Sequence, residues 1–370
     1  MHFPPRCLGF FPALLFALLT LPTCPARAAD GPLCIVLVTL DGLRWQEVFG
    51  GAQEKLFDER AGGVRDLPAL RERYWRDTPE ARREALMPFL WGVMARQGQV
   101  FGDAQAGSPA KLTNGKKFSY PGYSEMLCGF PDPRIDSNRK VPNPNVTVLE
   151  WLNRRPGFEG KVAAFGTWDV LYSIVNVERS KVPVVAGWAP FADEPLTAEE
   201  KAVNALLPEM PRIWPDNAFD LVTTTGALAY VRKHKPRVLY VMLGETDEWA
   251  HGRRYDLYLD SATRGDAFLR RLWETLQSMP EYAGNTSLIV TTDHGRGDTK
   301  LNWTDHGEDV EGAEFIWTAV IGPRIEPLGV RKNVQTTQSQ IAATVAALVG
   351  EDYHSAEPKS APPLPVTRRE

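Results

Sequence analysis

The sequence is short of cysteine, with four in 370 residues, and that scarcity excludes a small disulfide-stapled scaffold. Cys7 and Cys24 fall in the amino-terminal stretch, leaving Cys34 and Cys128 either to pair in an oxidising compartment or to remain buried thiols. Positive charge is not in excess either: 42 Lys and Arg stand against 46 Asp and Glu, a net charge of −4. Binding along a nucleic-acid backbone, which needs a basic surface, is therefore not expected. After residue 21 no apolar run is long enough to cross a bilayer, so no stable membrane span is expected in the mature chain. There is no internal repeat. Histidine is also scarce, six in all, so the setting of each one is informative.

What is present begins with a leader. Arg6, the apolar run Leu8 to Leu21 and the small-residue site Ala26-Arg27-Ala28 have the layout of a secretory signal cleaved after Ala28. Its removal takes Arg6 and Arg27 and no acidic residue, moving the net charge from −4 to −6, and implies export to a periplasm or the medium. Residues 29–354 read as a single catalytic domain. The apolar runs Cys34 to Leu40, Gln99 to Phe101, Lys161 to Phe165, Arg237 to Leu243, Leu288 to Val290 and Phe315 to Ile321 have strand character. They alternate with helical periods in 52–97, Val146 to Arg154, Ala218 to Lys233, Tyr255 to Ser278 and Thr337 to Val349. That alternation predicts an α/β fold, a mostly parallel central sheet with helices on both faces. The proline-broken stretch 180–216, with Trp188, Phe191 and Trp214, reads as an insertion near the site, and the Pro-rich 355–370 as a disordered tail.

The chemistry concentrates where strands stop. Thr286 to Gly307 holds two Asp-His-Gly triplets, Asp293-His294-Gly295 and Asp305-His306-Gly307. A carboxylate beside an imidazole at the end of a buried strand suits a divalent cation such as Zn²⁺ or Mn²⁺. Asp247 and His251, four apart after another strand, share one side of a helical turn. Asp41-Gly42 closes the first strand, where open α/β sheets bind ligands, although an Asp there also serves as a turn cap. His234 and His354 read as solvated. Asp41, Asp247, Asp293, His251, His294 and His306 thus offer six ligands, three per cation, which suits two open catalytic sites. Ser119 lies just upstream of a helix start, placed to meet an anion or to cap the helix.

In order along the chain, TLDG at Asp41, KKFSYPGYSEML at Ser119, GETDEWAHG at Asp247 and His251, TTDHG at Asp293 and DHGE at His306 make the sequence resemble the alkaline phosphatase superfamily. The likeness is strongest to its nucleotide pyrophosphatase/phosphodiesterase branch, whose Thr-Phe-Pro-Asn stands here as Ser119-Tyr120-Pro121-Gly122. The resemblance implies an alkaline-phosphatase-like fold and hydrolysis of a small phosphate ester. It also implies one cation held by Asp41, Asp293 and His294 and bridged to Ser119, a second held by Asp247, His251 and His306, and Asn138 donating to a phosphate oxygen. A serine hydroxyl on a divalent cation loses its proton near neutral pH and attacks phosphorus, giving a phosphoseryl intermediate. Arg44, Lys116, Lys117 and Arg296 are candidate phosphate contacts, and Trp168, Tyr172 and Trp188 candidate walls for a flat leaving group. A sulfatase-like hydrolase, a phosphosugar mutase, a phosphoethanolamine transferase and a catalytically silent binding protein are the alternatives. Tyr123, where the sulfatase motif has Arg, speaks against the first.

Overall fold

A computed structural model describes residues 32–367; the leader expected over 1–28 lies outside them. Eight strands form the central sheet: β1 Cys34–Leu40, β2 Gln99–Phe101, β3 Val162–Gly166, β4 Val184–Ala186, β5 Val238–Leu243, β6 Thr286–Thr291, β7 Thr318–Ile321 and β8 Gly329–Val330. Their spatial order is β8-β2-β7-β6-β1-β5-β3-β4. All neighbours run parallel except β7, which is antiparallel to both β2 and β6. The β-branched and Leu-rich strands β1, β5 and β6 are buried along their whole length, as strands covered on both faces require.

Alternate residues serve opposite cores. Val36, Val38, Leu239, Val241, Leu288 and Val290 join one apolar cluster, while Ile35, Leu37, Val238, Tyr240 and Ile289 join the other. The first is covered by helix α4, Tyr255–Ser278, through Tyr258, Leu259, Leu269 and Leu272. The second is covered by α1, Ser119–Cys128, and α5, Gln340–Leu348. Between them in sequence lie α2, Asp220–His234, and α3, Glu245–His251.

Register decides where the chemistry goes. Leu40 pairs with Leu243, Thr39 with Thr291 and Gly166 with Met242, so the residues after β1, β3, β5 and β6 emerge at one carboxyl edge. Open parallel sheets use that edge for ligands.

Several expectations are revised by packing. The helical 52–97 stretch is divided: Asp66 and Thr78 each accept a backbone N–H and, with Pro in the first turn, start separate helices at Leu67–Tyr74 and Pro79–Leu86. The run Phe315 to Ile321 divides at buried Trp317, whose indole donates to Leu43 O at 2.9 Å. Phe315–Ile316 joins a small sheet with Ala110–Lys111 and Thr336–Thr337. Segment 180–216 is more regular than expected, supplying β4 and a helix Ala198–Leu206 with a Thr197/Glu200 capping box. The tail expected to be disordered from 355 is ordered through Thr367: Leu364 is buried, and Gln99 Nε2 donates to Thr367 O at 2.8 Å. Aperiodic Pro-rich sequence gave no sign of that docking. Cys34 and Cys128 are both buried and unpaired, and burial pushes their thiols up to about 11 and about 12.

Gly122 in α1 is required by a close approach, since a Cβ there would lie 2.4 Å from Asp293 O. Gly122→Ala is expected to cost roughly 1–3 kcal/mol through overpacking, seen as a lower Tm.

Candidate active site

Each motif residue is set by the element before it. Asp41 leaves β1 into Gly42, whose φ of +58° is left-handed and whose N–H donates to Asp293 Oδ1 at 3.1 Å. Asp293 and His294 leave β6, both fully buried. Asp247 and His251 stand one turn apart on α3, with His251 Nε2 3.3 Å from Asp247 Oδ2. Ser119 opens α1, but Phe118 holds the cap position, so the hydroxyl is not used as a cap. Its Oγ lies 3.2 Å from His294 Nε2 instead.

The sequence-named ligands converge. His294 Nε2 is 3.3 Å from Asp41 Oδ1, 3.5 Å from Asp293 Oδ2 and 3.7 Å from Asp247 Oδ1. His306 Nε2 is 3.7 Å from Asp247 Oδ1 and 2.9 Å from His251 Nε2. Two groups have metal-holding geometry: Asp41, Asp293 and His294, and Asp247, His294 and His306. His251 adjoins the second group through Asp247 and His306. Asp305, the acid of the second triplet, is exposed and takes no part.

Two observations test whether this donor set fits cations. Asp41 Oδ1 and Asp293 Oδ2 are buried without a hydrogen-bond partner, although buried carboxylate oxygens are normally satisfied. The His294 Nδ1–H donates to Gly295 O at 2.9 Å, which turns Nε2 toward the carboxylates. Burial alone would lower the His294 pKa; the Asp293 and Asp41 carboxylates outweigh it and push it up to about 9. Burial, with His294 and Arg296 close by, pushes His306 far down and keeps its ring neutral. Carboxylates short of positive charge and a neutral imidazole fit a divalent cation.

None of the four cations expected to touch phosphate lines the cleft. Arg44 is fully buried against Glu47 and donates to Gly297 O at 2.9 Å. Lys116 pairs with Glu308 at 2.6 Å, and Lys117 Nζ donates to Val310 O at 3.0 Å. Arg296 is fully buried, its guanidinium bonded to Asp247 and to Thr304 O, so it braces Asp247 and does not face the cleft.

A cleft of about 310 Å³ opens over the cluster, lined among others by Asp41, Ser119, Asn138, Trp168, Trp214 and His306. Asn138 Oδ1 accepts the Tyr120 N–H at 3.0 Å, leaving its NH₂ without a partner among the described residues. Of the aromatic candidates only Trp168 lines the cleft. Tyr172 OH accepts the Ala186 N–H, and Trp188 donates to Trp214 O at 3.0 Å, so each supports its neighbours. Sequence reading missed Asn217, Glu248 and the cleft role of Trp214. It also missed Gln338, whose buried Nε2 donates to Thr292 O and Asp293 O at 3.2 and 3.1 Å.

Tyr123 was a further miss. Its buried hydroxyl donates to Asp41 Oδ2 at 2.8 Å, and burial, with the Asp293 and Asp41 charges, raises its pKa so that it stays a donor. Tyr123→Phe is expected to weaken cation affinity by roughly 10- to 100-fold, the usual cost of a lost ligand-orienting bond. Competition with a chromogenic chelator reads that change without an activity assay.

The family model described as type I phosphodiesterase / nucleotide pyrophosphatase matches residues 65–369. No curated protein matches the sequence. Among solved structures, a four-site mutant of alkaline phosphatase PafA superposes with a TM-score of 0.55 at 10% identity, over 87% of this chain and 96% of that one. A putative sulfatase from Bacteroides thetaiotaomicron gives 0.54 at 14% identity, over 87% and 71%. Ps i-CgsB, solved with k-i-k-neocarrahexaose, gives 0.50 at 16% identity, over 90% and 75%. At these identities the likeness is one of fold, and the fold is alkaline-phosphatase-like.

Proposed function

The chain belongs to the type I phosphodiesterase / nucleotide pyrophosphatase family, and from that membership we propose that it is an exported phosphoric ester hydrolase working through Ser119 and two divalent cations. The observation that carries this reading is the placing of the Ser119 hydroxyl 3.2 Å from His294 Nε2, beside two buried carboxylate oxygens that lack partners. Asp41, Asp293 and His294, with Ser119, form one ligand set; Asp247, His251 and His306 form the other. Zn²⁺ or Mn²⁺ bound there would lower the pKa of the Ser119 hydroxyl and offset charge on the phosphoryl group.

Ser119 Oγ forms a bond to phosphorus as the bond to the leaving oxygen breaks in line. Water then cleaves the phosphoseryl ester, returns the hydroxyl and releases the phosphoryl product. Asn138, fixed through its Oδ1, presents its NH₂ to a nonbridging oxygen. Arg296 and Tyr123 hold Asp247 and Asp41 in place. The leader supports export, and no helix among the described residues is long and apolar enough to cross a membrane.

The test is a parallel assay of an aryl phosphate monoester, an aryl phosphodiester and an aryl sulfate, before and after chelation. Chelation-sensitive turnover of phosphate esters is expected. Turnover of the sulfate alone would replace this reading with a sulfatase, and turnover untouched by chelation would reject it.

A further inference from the structure

Beyond the ligands and Ser119, the cleft is walled by Trp168, Trp214, Asp216, Asn217 and Glu248, and no lysine or arginine among the described residues lines it. The two carboxylates differ. Asp216 Oδ1 lies 3.1 Å from Lys140 Nζ, which also pairs with Asp169, so its charge is offset. Glu248 accepts one bond, from Asn217 Nδ2 at 2.5 Å on Oε1, and its second oxygen has no partner among the described residues. It follows Asp247 directly on α3, so a carboxyl that no lysine or arginine of the cleft faces stands one residue from the proposed cation site, and burial raises its pKa to about 7.

The aromatic walls are held in place. Trp214 meets Trp249 edge-on at 4.9 Å and Phe219 at 5.5 Å, and Trp168 is bridged through its backbone to Asn217. Two indoles and a carboxylate are a poor setting for an anion and a good one for an organic cation, whose charge interacts with both. Resting on the hydrolase reading, we infer that the subsite beside Glu248 takes the cationic group of an amino-alcohol phosphoester, a quaternary ammonium or protonated amine, and disfavours further phosphates. A substituent bearing a second phosphate would be brought against the Glu248 carboxyl and find no lysine or arginine of the cleft in exchange.

The test compares, on metal-loaded protein, p-nitrophenyl phosphocholine with its neohexyl isostere, which has the same shape with carbon in place of charged nitrogen. A thymidine p-nitrophenyl phosphodiester is the third substrate, and all three release the same nitrophenol. The choline ester is expected to exceed the neutral isostere in kcat/KM by about tenfold. That ratio should fall toward one in Glu248→Gln and separately in Trp214→Leu, so a folding failure of one variant leaves the other to decide. A ratio near one in the unaltered protein, a ratio unmoved by both substitutions, or preference for the thymidine ester would overturn the subsite and leave the hydrolase standing. No turnover of any of the three would remove both.

Discussion

Ser119→Ala is expected to lower turnover of every phosphoric ester by about a thousandfold or more, the scale seen when a covalent nucleophile is removed. The fold should persist, because the hydroxyl caps no helix and its one hydrogen-bond partner among the described residues is His294. Cation content should persist too, since the carboxylates and imidazoles stay. Circular dichroism and metal analysis beside the assay separate loss of the nucleophile from loss of the site. If water attacked phosphorus directly, the alanine variant would keep activity within about tenfold, as a merely positioning hydroxyl would allow. Comparable activity in the variant would therefore sink the phosphoseryl route.

The second large effect lies at Asp293. Asp293→Asn retains an acceptor for the Gly42 N–H but removes a charge from the ligand set, so cation affinity should fall by about a hundredfold or more and ester turnover with it. The metal-stripped proteins should behave in the opposite sense. Burial, then the Asp41 charge, raises the Asp293 carboxyl well above its ordinary pKa, so the stripped fold favours the protonated form. A raised folded-state pKa contributes stability that is present at acidic pH and lost as pH rises through that pKa. The chelated wild-type protein should thus show a lower Tm at pH ~8 than at pH ~5, whereas Asp293→Asn should be flatter and, at the higher pH, more stable. Thermal unfolding of both chelated proteins checks this. A variant less stable than wild type at both pH values would mean that Asp293 is a packing residue and not a ligand.

The central strands and the turns that carry Asp41, Asp293 and His294 were legible in the sequence for a physical reason. A buried parallel strand announces itself by an unbroken β-branched run, and its end by Asp-Gly or Asp-His-Gly, so β1 and the emergence of Asp41 and Asp293 could be read locally. Spacing on one helical turn gave Asp247 and His251. What could not be read was whatever depends on approach from a distant part of the chain. Tyr123 looks like an ordinary core tyrosine until α1 docks and places its hydroxyl on Asp41. Arg296, in the sequence a candidate phosphate contact two residues after His294, is enclosed by the fold against Asp247. Trp214 and Glu248 share a wall only because the 180–216 segment folds back over α3, and the docking of Leu364 carries no periodic signal at all.

The most direct measurement titrates metal-stripped protein with Zn²⁺ while following release of nitrophenol from an aryl phosphodiester, with Ser119→Ala run beside it. Turnover should be absent at the start, rise to a plateau near two equivalents, and stay absent in the alanine variant at equal metal content. Turnover by the stripped protein, or a loaded Ser119→Ala that matches wild type, would contradict the account.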